Sequence, residues 1–396
     1  MQAIETYSTA LRTELASILT WWKTYTIDQE HGGFWGEINN ENQSTPAAPK
    51  GIVLYSRILW TFSAAWLFGK NADDLTMATR AFSYINQHFL DARYGGFYWS
   101  VKANGTMLDG KKQIYGQAFT IYGLSEYYKA SGNEQALELA KSTFRLIEKY
   151  SYDPINQGYI EAFDQSWQFL ADLRLSYKDL NAKKSMNTHL HIVEAYANLY
   201  SVWQDESLAS AIKELLSVFK RFIIKPDSHL GLFFTTSWQP LSTIVSYGHD
   251  IEAAWLLLEC AEAIGEEMEI TTFKKIALQL TQATIAGLDI DGGLYYEYET
   301  ATGHTIKEKH WWPQAEAMVG FFNAYQLSGN IQFLQQAIKS WSFIEKYLKD
   351  NCGGEWYWGV NETYALMPEP KAGFWKCPYH NARACMEIVN RVSIFL

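Results

Sequence analysis

The sequence predicts an all-α fold, a closed (α/α)6 barrel of six helix pairs with short β-strands or hairpins at one end. Three features of the 396 residues predict it. A glycine-aromatic phrase occurs six times at near-constant spacing, a twenty-residue segment occurs twice in the same register, and between the phrases two kinds of helical pattern alternate.

The phrase reads HGGFWGEI, YGGFYWSV, NQGYIEAF, HLGLFFTT, DGGLYYEY and CGGEWYWGV, with its key glycine at Gly33, Gly96, Gly158, Gly231, Gly293 and Gly354. The intervals are 63, 62, 73, 62 and 61 residues. Glycine followed by aromatic and polar residues in alternation indicates a tight turn that feeds a short strand. Six copies at one period indicate a repeat architecture. SGNEQALELAKSTFRLIEKY (131–150) and SGNIQFLQQAIKSWSFIEKY (328–347) agree at ten of twenty positions, and their offset of 197 is also that from Gly96 to Gly293.

Each interval carries one amphipathic pattern, as in residues 71–91, whose charged face suits an outer helix. The other pattern is apolar nearly all round: Gly51–Gly69, Tyr115–Tyr128, Met186–Trp203 and His249–Ala263. Such helices must be enclosed by protein. Six outer and six inner helices use the whole chain, so residues 1–396 are expected to form a single domain despite a length that suits two or three. Gly51–Gly69 is apolar enough to raise the question of a membrane span, but Arg57 lies within it and a buried core helix is the expectation.

Composition narrows the partners. The formal charge is −10, with acidic and basic residues mixed and no basic stripe, which excludes an electrostatic nucleic-acid footprint. The N-terminal residues lack the features of a signal peptide. Cys260, Cys352, Cys377 and Cys385 show no C-x-x-C spacing, so reduced thiols and a cytoplasmic, monomeric protein without membrane association are expected. The 16 Trp, 25 Tyr and 21 Phe exceed what a core requires and suit a cleft that stacks rings.

Polar residues collect near the N-terminal ends of the inner helices: Arg57, Tyr115, Asn187 with His191, His249 with Glu252, Trp312 with Glu316, and His380. If the inner helices run parallel, these line one cavity. Each has a bland alternative. A histidine on an apolar helix is more often a hydrogen-bonded core residue than a catalyst, and Trp312 and Trp375 suit a core as well as a cleft. His189 and His191 point to different sides of their helix, so at most one faces the cavity. The His191/Glu194 and His249/Glu252 pairs have helix-face spacing, yet no third ligand completes a metal site. No dinucleotide, phosphate-loop or serine-elbow motif appears in a supporting context, so no cofactor is expected. Glutamates are available for an inverting glycoside hydrolase on such a barrel, but three histidines favour proton transfer near neutral pH over acetal protonation.

The phrases KGIVLYSRILWTFSAA, KKQIYGQAFTIYGLSEYY, SMNTHLHIVEAYANLY, SYGHDIEAAWLL, HWWPQAEAMVGFFNAYQ and FWKCPYHNARACMEI resemble, in order and from about residue 30 onward, the cellobiose 2-epimerases of the N-acylglucosamine 2-epimerase superfamily. The resemblance implies the (α/α)6 barrel and epimerisation at C2 of a reducing-end sugar without cofactor or metal. It implies that His249 and His380 are the acid/base pair and that His191 supports the reacting oxygens. Arg57, Tyr115, Asn187, Glu252, Trp312, Glu316 and Trp375 match its other cavity positions. On this reading each catalytic histidine titrates near physiological pH, Glu252 orients His249, and Trp311, Trp312 and Trp375 stack on sugar rings. A mannose 2-epimerase, an aldose–ketose isomerase and a non-catalytic sugar-binding protein remain the alternatives on the same barrel, with the hydrolase.

Overall fold

The computed structural model describes residues 2–395, so the outermost residues of the 1–396 span lie outside the described residues. Its helices are α1 (Gln2–Tyr25), α2 (Ile52–Gly69), α3 (Ala72–Tyr84), α4 (Ile114–Ser131), α5 (Glu134–Tyr150), α6 (Met186–Tyr200), α7 (Glu206–Val218), α8 (Tyr247–Ile264), α9 (Glu267–Thr284), α10 (Trp311–Ser328), α11 (Ile331–Phe343) and α12 (Tyr379–Phe395). The even-numbered helices form the inner ring: α2, α4, α6, α8, α10 and α12 each pack on the next, and α12 returns to α2. Each has an outer partner on its flank, α3, α5, α7, α9 and α11 for the first five, while α1 covers α12. The first helix therefore completes the last pair.

The duplicated SGN phrase marks where an inner helix hands over to an outer one. Gly132 and Gly329 close α4 and α10 at φ 68° and 69°, the left-handed conformation that suits glycine at a helix C-terminus. Asn133 and Asn330 then cap α5 and α11, their Oδ1 accepting the N–H of Ala136 and of Gln332, both at 3.0 Å.

At the other end of the ring, the strands Lys50–Gly51, Lys112–Gln113, Lys184–Ser185, Ile244–Ser246 and Lys309–His310 run directly into α2, α4, α6, α8 and α10. Each pairs antiparallel with the strand that closes the next glycine phrase, for example Lys112–Gln113 with Ala162–Phe163. A bridge between Ile38 and Ala372 supplies the sixth stitch. All six inner helices consequently start at one mouth. α2 is the one described helix long and apolar enough to cross a membrane, and 72% of it is buried inside the protein.

Two details depart from the sequence reading. Gly33, Gly96, Gly158 and Gly354 adopt φ of 64–77°, as a tight turn requires, but the left-handed residue of the fourth turn is Ser228 and that of the fifth is Gly292. In the fourth phrase Leu230, before Gly231, takes the place that Phe34, Phe97, Tyr159, Leu294 and Trp356 hold elsewhere. The second is a ring of buried ion pairs that the phrases did not announce. Lys50, Lys112, Lys184 and Lys309 reach back to the turn acids Asp28, Asp91, Asp153 and Asp289 at 2.6–2.9 Å.

Candidate active site

Side chains two apart on a helix differ by about 200° in direction, and the inner ring uses this twice over. Tyr55, Gln117, His189, Asp250 and Gln314 turn outward and latch the glycine turns. They accept the backbone N–H of Phe34, Phe97, Tyr159, Leu230 and Leu294 at 2.7–2.9 Å. Close approach explains the glycine at one of these turns, since a Cβ on Gly158 would lie 2.7 Å from His189 Nε2. Two residues after each latch come Arg57, Phe119, His191, Glu252 and Glu316, and Arg383 follows Asn381 in the same way. These six turn towards the inside of the barrel.

The two sides differ electrically. His189 Nδ1 reaches the Ser185 carbonyl at 2.6 Å while Nε2 accepts from Tyr159, so both nitrogens are spent and burial holds the ring neutral, with a pKa of about 3. His191 offers Nδ1 to Glu194 Oε2 at 2.8 Å, with its ring 5.1 Å from that of Tyr115 and 4.6 Å from Phe119.

His380, from the first turn of α12, places Nδ1 2.6 Å from Glu316 Oε1. Glu316 Oε2 accepts from the Trp255 indole at 3.0 Å. His249, from the first turn of α8, lies across the Trp312 ring. That ring is 4.7 Å from His249 and 5.8 Å from His380. Burial lowers both histidines to about 3, and for His249 the proximity of His191 and His380 adds to it. Both are therefore neutral at rest, a correction to the expectation that each titrates near physiological pH.

A second correction concerns Glu252. Its carboxylate does not reach His249, whose Nδ1 meets Ser246 Oγ at 2.8 Å. Glu252 Oε1 accepts from Arg383 Nη2 at 3.1 Å and lies 3.9 Å from His380 Nδ1. Burial, and then the charge of Glu316, push its pKa well above the usual carboxylate range. Burial would raise Glu316 too, but the Arg383 guanidinium and the His380 contact outweigh it and leave it ionised, at about 2. Glu316 is buried beneath His380 and serves that histidine rather than the open cavity.

Arg383 and Glu194 were not singled out as a pair in the sequence, yet they form the floor. Arg383 donates to Glu194, Tyr379, Glu316 and Glu252, joining the carboxylates behind His191 and His380. The signal was present: a charged residue at the inward position of a buried helix. Glu252, Glu316 and His380 bring potential ligand atoms within 4.8 Å of one another, as a metal site would. The Arg383 guanidinium, bonded to both carboxylates, already supplies the positive charge there.

Arg57 is the opposite case. It is buried, donates from Nη2 to Tyr115 at 2.8 Å and from Nη1 to the Trp375 carbonyl at 3.4 Å, and stacks 4.1 Å from Phe119. Among the described residues no carboxylate lies within 4 Å of it. A buried guanidinium without a counterion is suited to an oxygen that becomes negative during reaction. Asn187 Oδ1 is likewise without a partner, at a half-buried position. Trp312 and Trp375 are partly exposed, whereas Trp311 is core, packed 4.3 Å from Trp358, and so unavailable for stacking on a sugar.

Two neutral imidazoles against one aromatic ring, beside an unpaired guanidinium, suit proton transfer at a carbon next to a carbonyl, the chemistry of carbohydrate isomerases and epimerases. Comparison with known proteins agrees. The N-acylglucosamine 2-epimerase family model matches residues 33–384, and the chain belongs to that family. It is 45% identical over 375 residues to the cellobiose 2-epimerase of Bacteroides fragilis, covering 94% of this chain and 96% of that one. With the cellobiose 2-epimerase of Dictyoglomus turgidum it shares 38% over 367 residues, 92% of this chain and 93% of the other. The solved structure of cellobiose 2-epimerase from Spirochaeta thermophila superposes with a TM-score of 0.94 at 38% identity, covering 100% of this chain and 98% of that one. The protein is a sugar epimerase or isomerase with an α/α-barrel fold, and its substrate is a small-molecule sugar.

Proposed function

We propose that the protein epimerises C2 of the reducing-end sugar of β-1,4-linked disaccharides, converting cellobiose to glucosyl-mannose and lactose to epilactose. The observation that carries this is that the rings of His249 and His380 both lie against Trp312, at 4.7 and 5.8 Å, each with Nδ1 engaged and Nε2 left for a ligand. The high identity to cellobiose 2-epimerases over nearly the whole chain supports the substrate.

C2–H of a closed pyranose is not acidic, so the ring opens to expose the C1 aldehyde. One neutral imidazole then removes the C2 proton, giving an enediolate. Arg57 and the Tyr115 hydroxyl stabilise its oxygens, with His191 beside them. The other histidine, having taken up a proton from solvent to become the imidazolium, delivers that proton to the opposite face, C2 is inverted, and the first histidine gives its proton back to solvent. Glu316, ionised behind His380, stabilises the imidazolium whenever His380 carries the proton. Four free cysteines support a cytoplasmic location.

Turnover of cellobiose in D2O, read by NMR, tests the reading. The expected product is the mannose-ended disaccharide with deuterium at C2, formed equally in EDTA. Product without solvent deuterium excludes the exchange mechanism, and loss of turnover on chelation restores a metal. Added water in the product identifies a hydrolase, and unchanged sugar a binding protein. kcat/KM for cellobiose should exceed that for mannose by at least about tenfold, some ~1.4 kcal/mol of transition-state binding. The reverse order reassigns the enzyme to free mannose, and a ketose as main product makes it an aldose–ketose isomerase.

A further inference from the structure

Ser246 occupies the N-cap of α8. Serine at that position ordinarily accepts the N–H of the second or third helical residue. Ser246 makes no such bond. The equivalent residue one repeat earlier, Ser185, does: its Oγ accepts from Thr188 N–H at 3.2 Å. Both serines lie four residues before their outward latch, His189 or Asp250, and three before the residue they could cap. Where that residue is Thr188 the serine caps the helix. Where it is His249 the hydroxyl turns instead to the imidazole Nδ1, at 2.8 Å.

We propose that Ser246 is a positioning residue for His249, fixing its ring so that Nε2 faces the reacting carbon. This rests on the epimerase reading above. Ser246 is 1% exposed, so water does not compete for the contact. A hydroxyl both donates and accepts, so it holds the ring in either neutral tautomer and as the imidazolium. The carboxylates behind His191 and His380 only accept while ionised, and they keep a proton on Nδ1. The paired histidines are thus held in unlike ways, and the helix gives up a cap to do so.

Ser246→Ala decides the matter. The expected result is a fall in kcat of about tenfold with KM changed less than about twofold, the pattern of a group that acts on the reaction step. The melting temperature should hold, because no cap bond is lost. Ser246→Thr, which keeps the hydroxyl, should recover kcat. Ser185→Ala is the control, with a lower melting temperature and kcat retained. In 15N NMR spectra the His249 imidazole signals should move in Ser246→Ala while those of His380 stay. A kcat within about twofold of the parent overturns the proposal. So does a joint loss of stability and turnover with His249 signals unmoved. If the parent protein turns over no sugar, the epimerase reading fails, and the NMR comparison still decides whether Ser246 holds His249.

Discussion

The outward and inward sides of the inner helices are built from the same residue types and do opposite things. His189 and His191 show this within one turn of α6. His189 spends both nitrogens on backbone groups and anchors the turn at Tyr159. His191 spends one nitrogen on Glu194 and lies edge-on to Tyr115. The acids divide likewise. Asp250 faces outward and holds Leu230 N–H and His229, whereas Glu252, two residues later, belongs to the Arg383 network. A buried polar side chain with every valence met by backbone is architecture. One that keeps a valence free beside others like it is a site.

The largest test of that division is at the two acid/base candidates. His249→Asn and His380→Asn should each lower kcat by about 100-fold or more, the scale of a lost general acid or base, with urea midpoints near that of the parent. A variant that keeps half its turnover removes its residue from the reaction. His189→Ala should show the reverse. Leaving the Tyr159 N–H buried and unpaired costs about 1–3 kcal/mol, and the cavity adds to it. The urea midpoint should fall while kcat stays within about threefold, and His189→Asn should harm turnover less than His191→Asn does. A His189 variant that is stable but inactive would erase the boundary between the two sides.

The smallest effect is in pH. His189 and His249 have folded pKa values of about 3 against about 6.5 in the unfolded chain. Between those values the unfolded chain binds more protons, so their contribution to stability is full above about pH 6.5 and is lost as pH falls towards 3. His189→Gln, which keeps a donor and an acceptor, should flatten the fall of the urea midpoint over that range. An unchanged slope would mean that His189 does not carry this linkage.

How far these features were legible in the sequence depended on whether spacing alone could decide. The period of about 62 residues located the inner helices, and apolar helices interrupted by Arg57, His249 and His380 pointed to a common mouth. Spacing could not say which neighbour His249 would choose. Ser246 and Glu252 lie three residues to either side, and both are one helical turn away. Arg383, three residues beyond His380, selected Glu252 from across the ring, a contact between helices that no local pattern records. The shift to neutral imidazoles was hidden for the same reason, since it comes from enclosure by six helices rather than from sequence neighbours. The Lys–Asp ring was overlooked because its two halves lie 20 to 31 residues apart in sequence.

The pairing of α1 with α12 bears on how the molecule is made. Ten helices between them pack on sequence neighbours and can assemble as the chain emerges from the ribosome, but α12 packs chiefly against α1, α2 and α10. Long-range closure of this kind is slow relative to local helix packing. α12 also carries His380 and Arg383, so before it docks the barrel has neither its second imidazole nor the guanidinium that ties three glutamates together. Until then Glu194, Glu252 and Glu316 lie in an open groove where water can reach them. When α12 docks it closes the ring, neutralises its floor and brings in the second acid/base histidine, so that structural completion and the onset of activity become one event.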